Sequence, residues 1–179
     1  MNNVFLTGFM ATGKTAVGRA LGRRLARRFI DLDEEIEHAA GLAVSEIFAR
    51  FGEPEFRDRE RRALLSVCAI DGAVVAAGGG TVLDARNRHA MRAAGTIVCL
   101  TATPEAILAR LGTGDDRPLL AGANGRAKRV ASLLAERAAA YAAADLTLDT
   151  SRRSAADLAR SIADWLSSPS RAAKTRSEA

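Results

Sequence analysis

Residues 8–15 of this 179-residue chain read Gly8-Phe9-Met10-Ala11-Thr12-Gly13-Lys14-Thr15, a match to G-x-x-x-x-G-K-[ST]. No other feature constrains the chain as tightly. With 15 glycines, and only Lys14, Lys128 and Lys174 among 26 basic residues, the pattern arises by chance in about one such chain in four hundred. Its surroundings agree with it. The apolar run Val4-Phe5-Leu6-Thr7 predicts a strand before it, and a helical pattern opens after Gly13 with Val17, Leu21 and Leu25 on one face. A glycine-rich turn between a strand and a helix start lets backbone amides wrap phosphate oxygens. Lys14 then reaches the β/γ-phosphates, and the Thr15 hydroxyl suits Mg2+. The nucleotide-binding stretch expected on this basis is Ala11, Thr12, Gly13, Lys14, Thr15 and Ala16.

The alternation continues along the chain. Strands are expected at Phe29-Ile30-Asp31-Leu32, at 73–77, at 96–100 and at 146–148. Helices are expected at 34–40, 44–51, 54–70, 84–94, from Pro104, at 126–144 and at 154–167. Strands alternating with helices predict an α/β fold, a parallel sheet covered on both faces. One domain over 1–167 is expected, with a disordered tail at 168–179. The segment 112–125 holds four glycines and a proline, too broken for a simple connection, and predicts a functional loop.

Composition excludes several classes. No apolar run approaches the roughly 18 residues of a membrane span, and the N-terminus lacks the marks of a signal peptide, so a cytoplasmic location is expected. Cys68 and Cys99 stand far apart with no C-x-x-C and no histidine nearby, and two buried thiols are expected. His38 and His89 read as surface or helix residues, which removes zinc and Ser/Cys hydrolase chemistry. The formal net charge is +5. Arg19, Arg23, Arg24, Arg27 and Arg28 alone could mark a nucleic-acid footprint. Yet no aromatic interleaves that helix, so stacking platforms are missing and a solvated face suffices.

Asp31 and Asp33 share one face at the end of the second strand, the end where ligands gather in open α/β sheets. Beside a phosphate loop, such oxygens suit Mg2+ and a substrate hydroxyl. Gly78-Gly79-Gly80 suits close approach of a ligand to bare backbone. Arg57 and Arg137, taken alone, read as solvated helix faces.

Together these features resemble the shikimate kinases. The P-loop, Asp31-Leu32-Asp33, Glu53-Pro54-Glu55-Phe56-Arg57-Asp58-Arg59-Glu60, Gly78-Gly79-Gly80, Arg117-Pro118-Leu119-Leu120 and Arg137 follow in that family's order and spacing, over about residues 2–166. The resemblance implies a P-loop NTPase fold: a five-stranded parallel sheet of order 2-3-1-4-5 flanked by helices. It also implies a substrate-binding helical region at about 32–62 and a lid at about 112–125. The activity implied is ATP-dependent phosphorylation of the 3-hydroxyl of shikimate with Mg2+ as cofactor. Shikimate and ATP would be the partners of a monomer, with neither nucleic acid nor membrane.

By the same resemblance, Asp33 would contact the shikimate hydroxyls and orient the attacking one. Arg57 and Arg137 would clamp the carboxylate, and Gly79 and Gly80 would offer backbone amides. Phe48 and Phe56 would wall the pocket, and Glu60 would pair with an arginine there. Asp31, with Thr15, would support Mg2+. Lys14 and Arg117 would act on the transferring phosphate, and Arg110 and Arg153 would flank the adenine. The family usually carries glycine at the position of Ala11, where alanine fits if φ is negative. A sister sugar-acid kinase such as a gluconate kinase, a kinase-like ligand sensor and a nucleic-acid binder are the alternatives. The glycine run and the Phe56–Glu60 segment favour shikimate, and intact Lys14, Asp33 and Arg117 favour an enzyme.

Overall fold

The computed structural model describes residues 2–112 and 125–168. β1 (Asn3–Thr7) is buried at all five positions, as a strand must be when both of its faces are covered. Its neighbours are β3 (Val74–Ala76) and β4 (Gly95–Thr101), with β2 (Phe29–Asp31) and β5 (Leu146–Asp149) at the edges. The order is β2-β3-β1-β4-β5 and every pairing is parallel, as the resemblance implied.

Side-chain alternation sorts the strands into two layers. Val4, Leu6, Val98 and Leu100 pack on α1 (Lys14–Leu25) and α7 (Ala155–Leu166) through Val17, Leu21, Leu158 and Ile162. Phe5, Val75, Ile97 and Cys99 face the other way. They meet α3 (Val44–Cys68), α4 (Ala85–Ala94) and α6 (Arg126–Ala142) through Leu64, Met91 and Leu133. α5 (Pro104–Leu111) follows β4, with Thr103 capping its first turn.

Where β1 leaves the sheet, Gly8 has φ +127°, and a Cβ there would stand 2.1 Å from the Leu100 carbonyl oxygen. Only glycine fits that exit. α2 (Leu32–Ala40) starts one residue earlier than the strand reading allowed, because the Asp31 carboxylate accepts the Asp33 N–H at 3.2 Å and caps the helix. The two helices expected at 44–51 and 54–70 are both present within α3, separated at Gly52, whose φ 79° and ψ 174° are not helical, with Pro54 in the first turn of the second. A 3₁₀ turn at Thr81–Leu83, which no periodicity announced, follows the glycine run.

Cys99 is buried, but Cys68 is only half-buried, which corrects the expectation of two buried thiols. His38 and His89 are exposed on α2 and α4. Acids of α2 and α7 pair with the arginines of α1 and the turn after it: Arg19 meets Glu34 at 2.8 Å, Arg28 meets Glu35 at 3.6 Å and Arg24 meets Asp164 at 3.9 Å. Apart from Gly112, Gly125 and Ser168, the expected lid and tail lie outside the described residues. Among the described residues no helix is long and apolar enough to cross a membrane.

Candidate active site

The chain ends of β1, β2 and β3 converge on one edge of the sheet. α1 opens there with no capping side chain and no acid in its first turn, so its N-terminal dipole is left to an external anion. Lys14 Nζ curls back over the loop and donates to the carbonyls of Gly8 at 3.1 Å and Phe9 at 2.9 Å. The buried Thr12 hydroxyl donates to the Phe9 carbonyl at 2.8 Å and closes the turn from inside. Ala16 is exposed on the first turn of α1. Ala11 has φ +58°, so the negative φ that would suit an alanine is not what the turn adopts. The loop imposes a left-handed residue on an L side chain.

Thr15 Oγ1 donates to Asp31 Oδ2 at 2.8 Å, joining the first turn of α1 to the end of β2. No group of three or more His, Cys, Asp or Glu that could hold a metal occurs among the described residues. A hydroxyl and a carboxylate within hydrogen-bond distance are hard oxygen donors. They fit Mg2+, which takes one or two protein oxygens and completes its shell with water and phosphate.

Beside the loop lies a cavity of about 340 Å³. Lys14, Asp33 and the three glycines reach it from the strand ends. Phe48, Phe56, Arg57 and Glu60 reach it from α3, and Arg137 from α6. The structure thus brings together every residue expected to bind the substrate. The Phe48 and Phe56 rings meet with centroids 4.6 Å apart, and the Arg57 guanidinium lies 5.2 Å from the Phe56 centroid.

Arg57 is held from both sides. Its Nε and one terminal nitrogen donate to Glu53 Oε1 at 3.1 and 2.8 Å, and its other terminal nitrogen donates to Glu60 Oε2 at 2.9 Å. Burial works against the Arg57 charge, but Glu60 and Glu53 more than offset it and hold the guanidinium above its ordinary pKa. Each terminal nitrogen keeps an N–H beyond these bonds, which suits a fork-to-fork grip on a carboxylate. Glu60 is 1% exposed, and its other oxygen accepts the Thr81 hydroxyl at 2.7 Å, so the buried acid is fully partnered. A Cβ on Gly80 would stand 2.6 Å from both terminal nitrogens of Arg57, so the bare backbone is what lets the guanidinium lie there.

Arg137 is buried, contrary to its solvated reading. Its guanidinium carbon lies 5.6 Å from the Phe9 ring centroid, within cation–π range. Tyr141, one helical turn further along α6, donates its hydroxyl to the Gly79 carbonyl at 2.8 Å. Burial raises the Tyr141 phenol above its ordinary pKa against the opposing influence of Arg137, so it remains a donor. Arg110 donates to the Ala11 carbonyl at 3.2 Å and to the Thr150 hydroxyl at 2.9 Å, and so stands against the P-loop. Arg153 turns onto α7, where it meets Ser161 and the Asp157 carbonyl, and does not line the cavity. Arg117 lies outside the described residues.

Sequence reasoning missed the cavity residues Met10, Glu37, Val44 and Ser45, and the supports Glu53, Thr81 and Tyr141. Glu53 and Tyr141 had a usable signal, since each stands four residues from an expected arginine on the same helix face. Glu37 stands four residues from Asp33 on α2, Val44 and Ser45 stand four and three from Phe48 on α3, and Met10 lies within the phosphate loop, so only Thr81 had no such signal. An anion-binding helix start, an oxygen pair for a divalent cation, and a cavity with two guanidinium groups and an aspartate can together support phosphoryl transfer to the hydroxyl of a small anionic molecule.

A model of the shikimate kinase family matches residues 10–167. A shikimate kinase of Geobacter sulfurreducens is 48% identical over 164 residues, covering 92% of this chain and 90% of that one. One of Geobacter metallireducens is 45% identical over 166 residues, covering 93% and 92%. Among solved structures, the shikimate kinase of Acinetobacter baumannii in complex with shikimate superposes with a TM-score of 0.88 at 35% identity, covering 93% of each chain.

Proposed function

The chain belongs to the shikimate kinase family, and on that premise we propose that it transfers the γ-phosphoryl group of ATP to the 3-hydroxyl of shikimate. The products are shikimate 3-phosphate and ADP, on the way to chorismate and the aromatic amino acids. The observation that carries this reading is a cavity lined by both Arg57 and Arg137 as well as by Lys14 of the phosphate loop. It gives an anionic acceptor and a nucleotide phosphate adjoining places.

Arg57 and Arg137 bind the shikimate carboxylate, and the Gly79 and Gly80 amides take further substrate oxygens. Phe48 and Phe56 cover the ring, and Glu60 holds Arg57 in place. Asp33 orients the 3-hydroxyl and accepts its proton as the new P–O bond forms. Lys14 leaves the Gly8 and Phe9 carbonyls for the β/γ-phosphate oxygens, with the amides of residues 11–16 around them. Thr15 and Asp31 would hold Mg2+, which when bound would supply positive charge against the phosphates. Arg117, on a lid at 112–125, adds positive charge to the transferring group, and lid closure excludes water that would otherwise take the phosphate. Arg110 and Arg153 flank the adenine. The enzyme works as a cytoplasmic, single-domain monomer, and its basic charge serves small anions and not a polymer.

An ADP-release assay with shikimate, quinate and gluconate side by side tests the reading. Turnover is expected with shikimate foremost, and turnover with gluconate alone overturns it. Arg57→Ala is expected to raise KM for shikimate by about 10- to 100-fold, the worth of a charged hydrogen-bond pair, with KM for ATP unchanged. Wild-type affinity for shikimate in that variant would remove Arg57 from the clamp.

A further inference from the structure

Three consecutive glycines make the 78–80 segment an unusual wall for a binding site. Without Cβ atoms, the peptide between Gly79 and Gly80 meets almost no steric resistance to turning over. Its C=O and N–H lie in one plane and point in opposite directions, so the direction of the Gly79 C=O fixes the direction of the Gly80 N–H. The neighbouring peptides are tied by the chain itself: the Thr81 N–H reaches the Gly78 carbonyl at 3.2 Å and the Leu83 N–H reaches the Gly80 carbonyl at 3.0 Å. The 79–80 peptide has no such backbone tie among the described residues. It is held by α6, through the Tyr141 hydroxyl at 2.8 Å and, more weakly, an Arg137 nitrogen at 3.4 Å.

From this geometry we propose that Tyr141 is a positioning residue for the acceptor substrate. By gripping the Gly79 carbonyl, it turns the Gly80 N–H away from α6 and presents it to the cavity. Two further observations fit. The Gly80 N–H has no hydrogen-bond partner among the described residues although Gly80 itself is buried, which leaves a donor for a ligand oxygen. Tyr141 is 8% exposed, and the cavity lining does not include it, so its hydroxyl acts through the peptide and not on the substrate. It is also the only tyrosine of the chain.

The proposal rests on shikimate being the acceptor, and its test separates the two ideas. Tyr141→Phe keeps the ring in the core and removes the hydroxyl. It is expected to raise KM for shikimate by about 3- to 10-fold, the worth of one neutral hydrogen bond, while KM for ATP stays within twofold. A residue that served stability alone would lower the thermal midpoint and leave the ratio of the two KM values unchanged. That outcome, or an unchanged KM for shikimate, overturns the proposal while wild-type turnover leaves the acceptor reading standing. Absence of shikimate turnover in the wild type overturns both. The wild-type chain supplies a second readout if the variant fails to fold. Shikimate is expected to shift the Gly80 amide proton in a ¹⁵N-correlated spectrum, and an unmoved resonance at saturation overturns the proposal.

Discussion

Ala11 and Ala26 are the two non-glycine residues with positive φ among those described, at +58° and +53°. A left-handed L residue carries about 1–2 kcal/mol of steric cost, which glycine avoids. Ala26 sits at the C-cap of α1, where a left-handed turn lets its N–H reach the Arg23 carbonyl and the Arg27 N–H reach the Gly22 carbonyl at 2.9 Å. Ala11 sits in the phosphate loop, with its carbonyl taken by Arg110. Ala11→Gly and Ala26→Gly are each expected to stabilise the fold by about 1 kcal/mol, or about 2–4 °C in thermal midpoint for a chain of this size. Ala26→Gly should leave both KM values unchanged, so any change in KM for ATP that accompanies Ala11→Gly belongs to the loop. Melting curves paired with initial-rate kinetics decide this.

Among the elements, α4 shows how one cap carries a pH dependence. Asp84 accepts the Arg86 N–H at 2.8 Å at the start of the helix, and the Arg86 side chain reaches the same carboxylate. The Arg86 side chain foremost, and then its backbone N–H, hold the Asp84 pKa at about 2. A carboxylate whose folded pKa is depressed stabilises above its unfolded pKa and loses that contribution as the pH falls through the folded one. Asp84→Ala should therefore cost about 1 kcal/mol at neutral pH, and the gap from wild type should narrow between about pH 4 and pH 2. Urea unfolding at pH 7 and at pH 2 measures both limits. The α3 bend is the other consequence at this scale. Glycine at 52 and proline at 54 divide the element into a half that brings Phe48 to the cavity and a half that brings Phe56, Arg57 and Glu60. Both halves, and the break between them, were legible from periodicity and turn chemistry, because glycine and proline two residues apart interrupt the helical pattern.

For the whole molecule, ligand binding and stability are linked by mass action. Shikimate at about 100 times its Kd should stabilise the native state by about 2.7 kcal/mol, raising the thermal midpoint by roughly 5–11 °C. With Arg57→Ala at the same shikimate concentration, an affinity about 10- to 100-fold weaker should leave only about 0.4–1.4 kcal/mol of that stabilisation, while any protection by ATP persists. Calorimetric melts with and without each ligand read this directly. At this scale the basic composition also takes on a different meaning. The arginines of the first helix lie exposed among the acids of α2 and α7, whereas Arg57 and Arg137 are drawn into the cavity.

Short-range sterics and periodicity were legible in the amino-acid order before any folding. The phosphate loop is legible from the spacing of Gly8, Gly13, Lys14 and Thr15, and the apolar runs at β1, β3 and β4 demand a sheet covered on both faces. Asp31 and Asp33 were readable because strand ends in such sheets point at one edge. Tertiary structure alone decided which charges are buried. Arg57 and Arg59 stand two residues apart in one charged run, yet only Arg57 meets Glu60 and Gly80 at the cavity, while Arg59 meets Glu55 and Phe51. Arg137 is buried because Phe9 and Gly79, far away in the chain, come to lie beside it. The sign of φ at Ala11 was likewise set by the closed turn around it. Local spacing limits which side chains share a face, but desolvation and pairing depend on what the other elements bring to that face, and only the assembled fold supplies that.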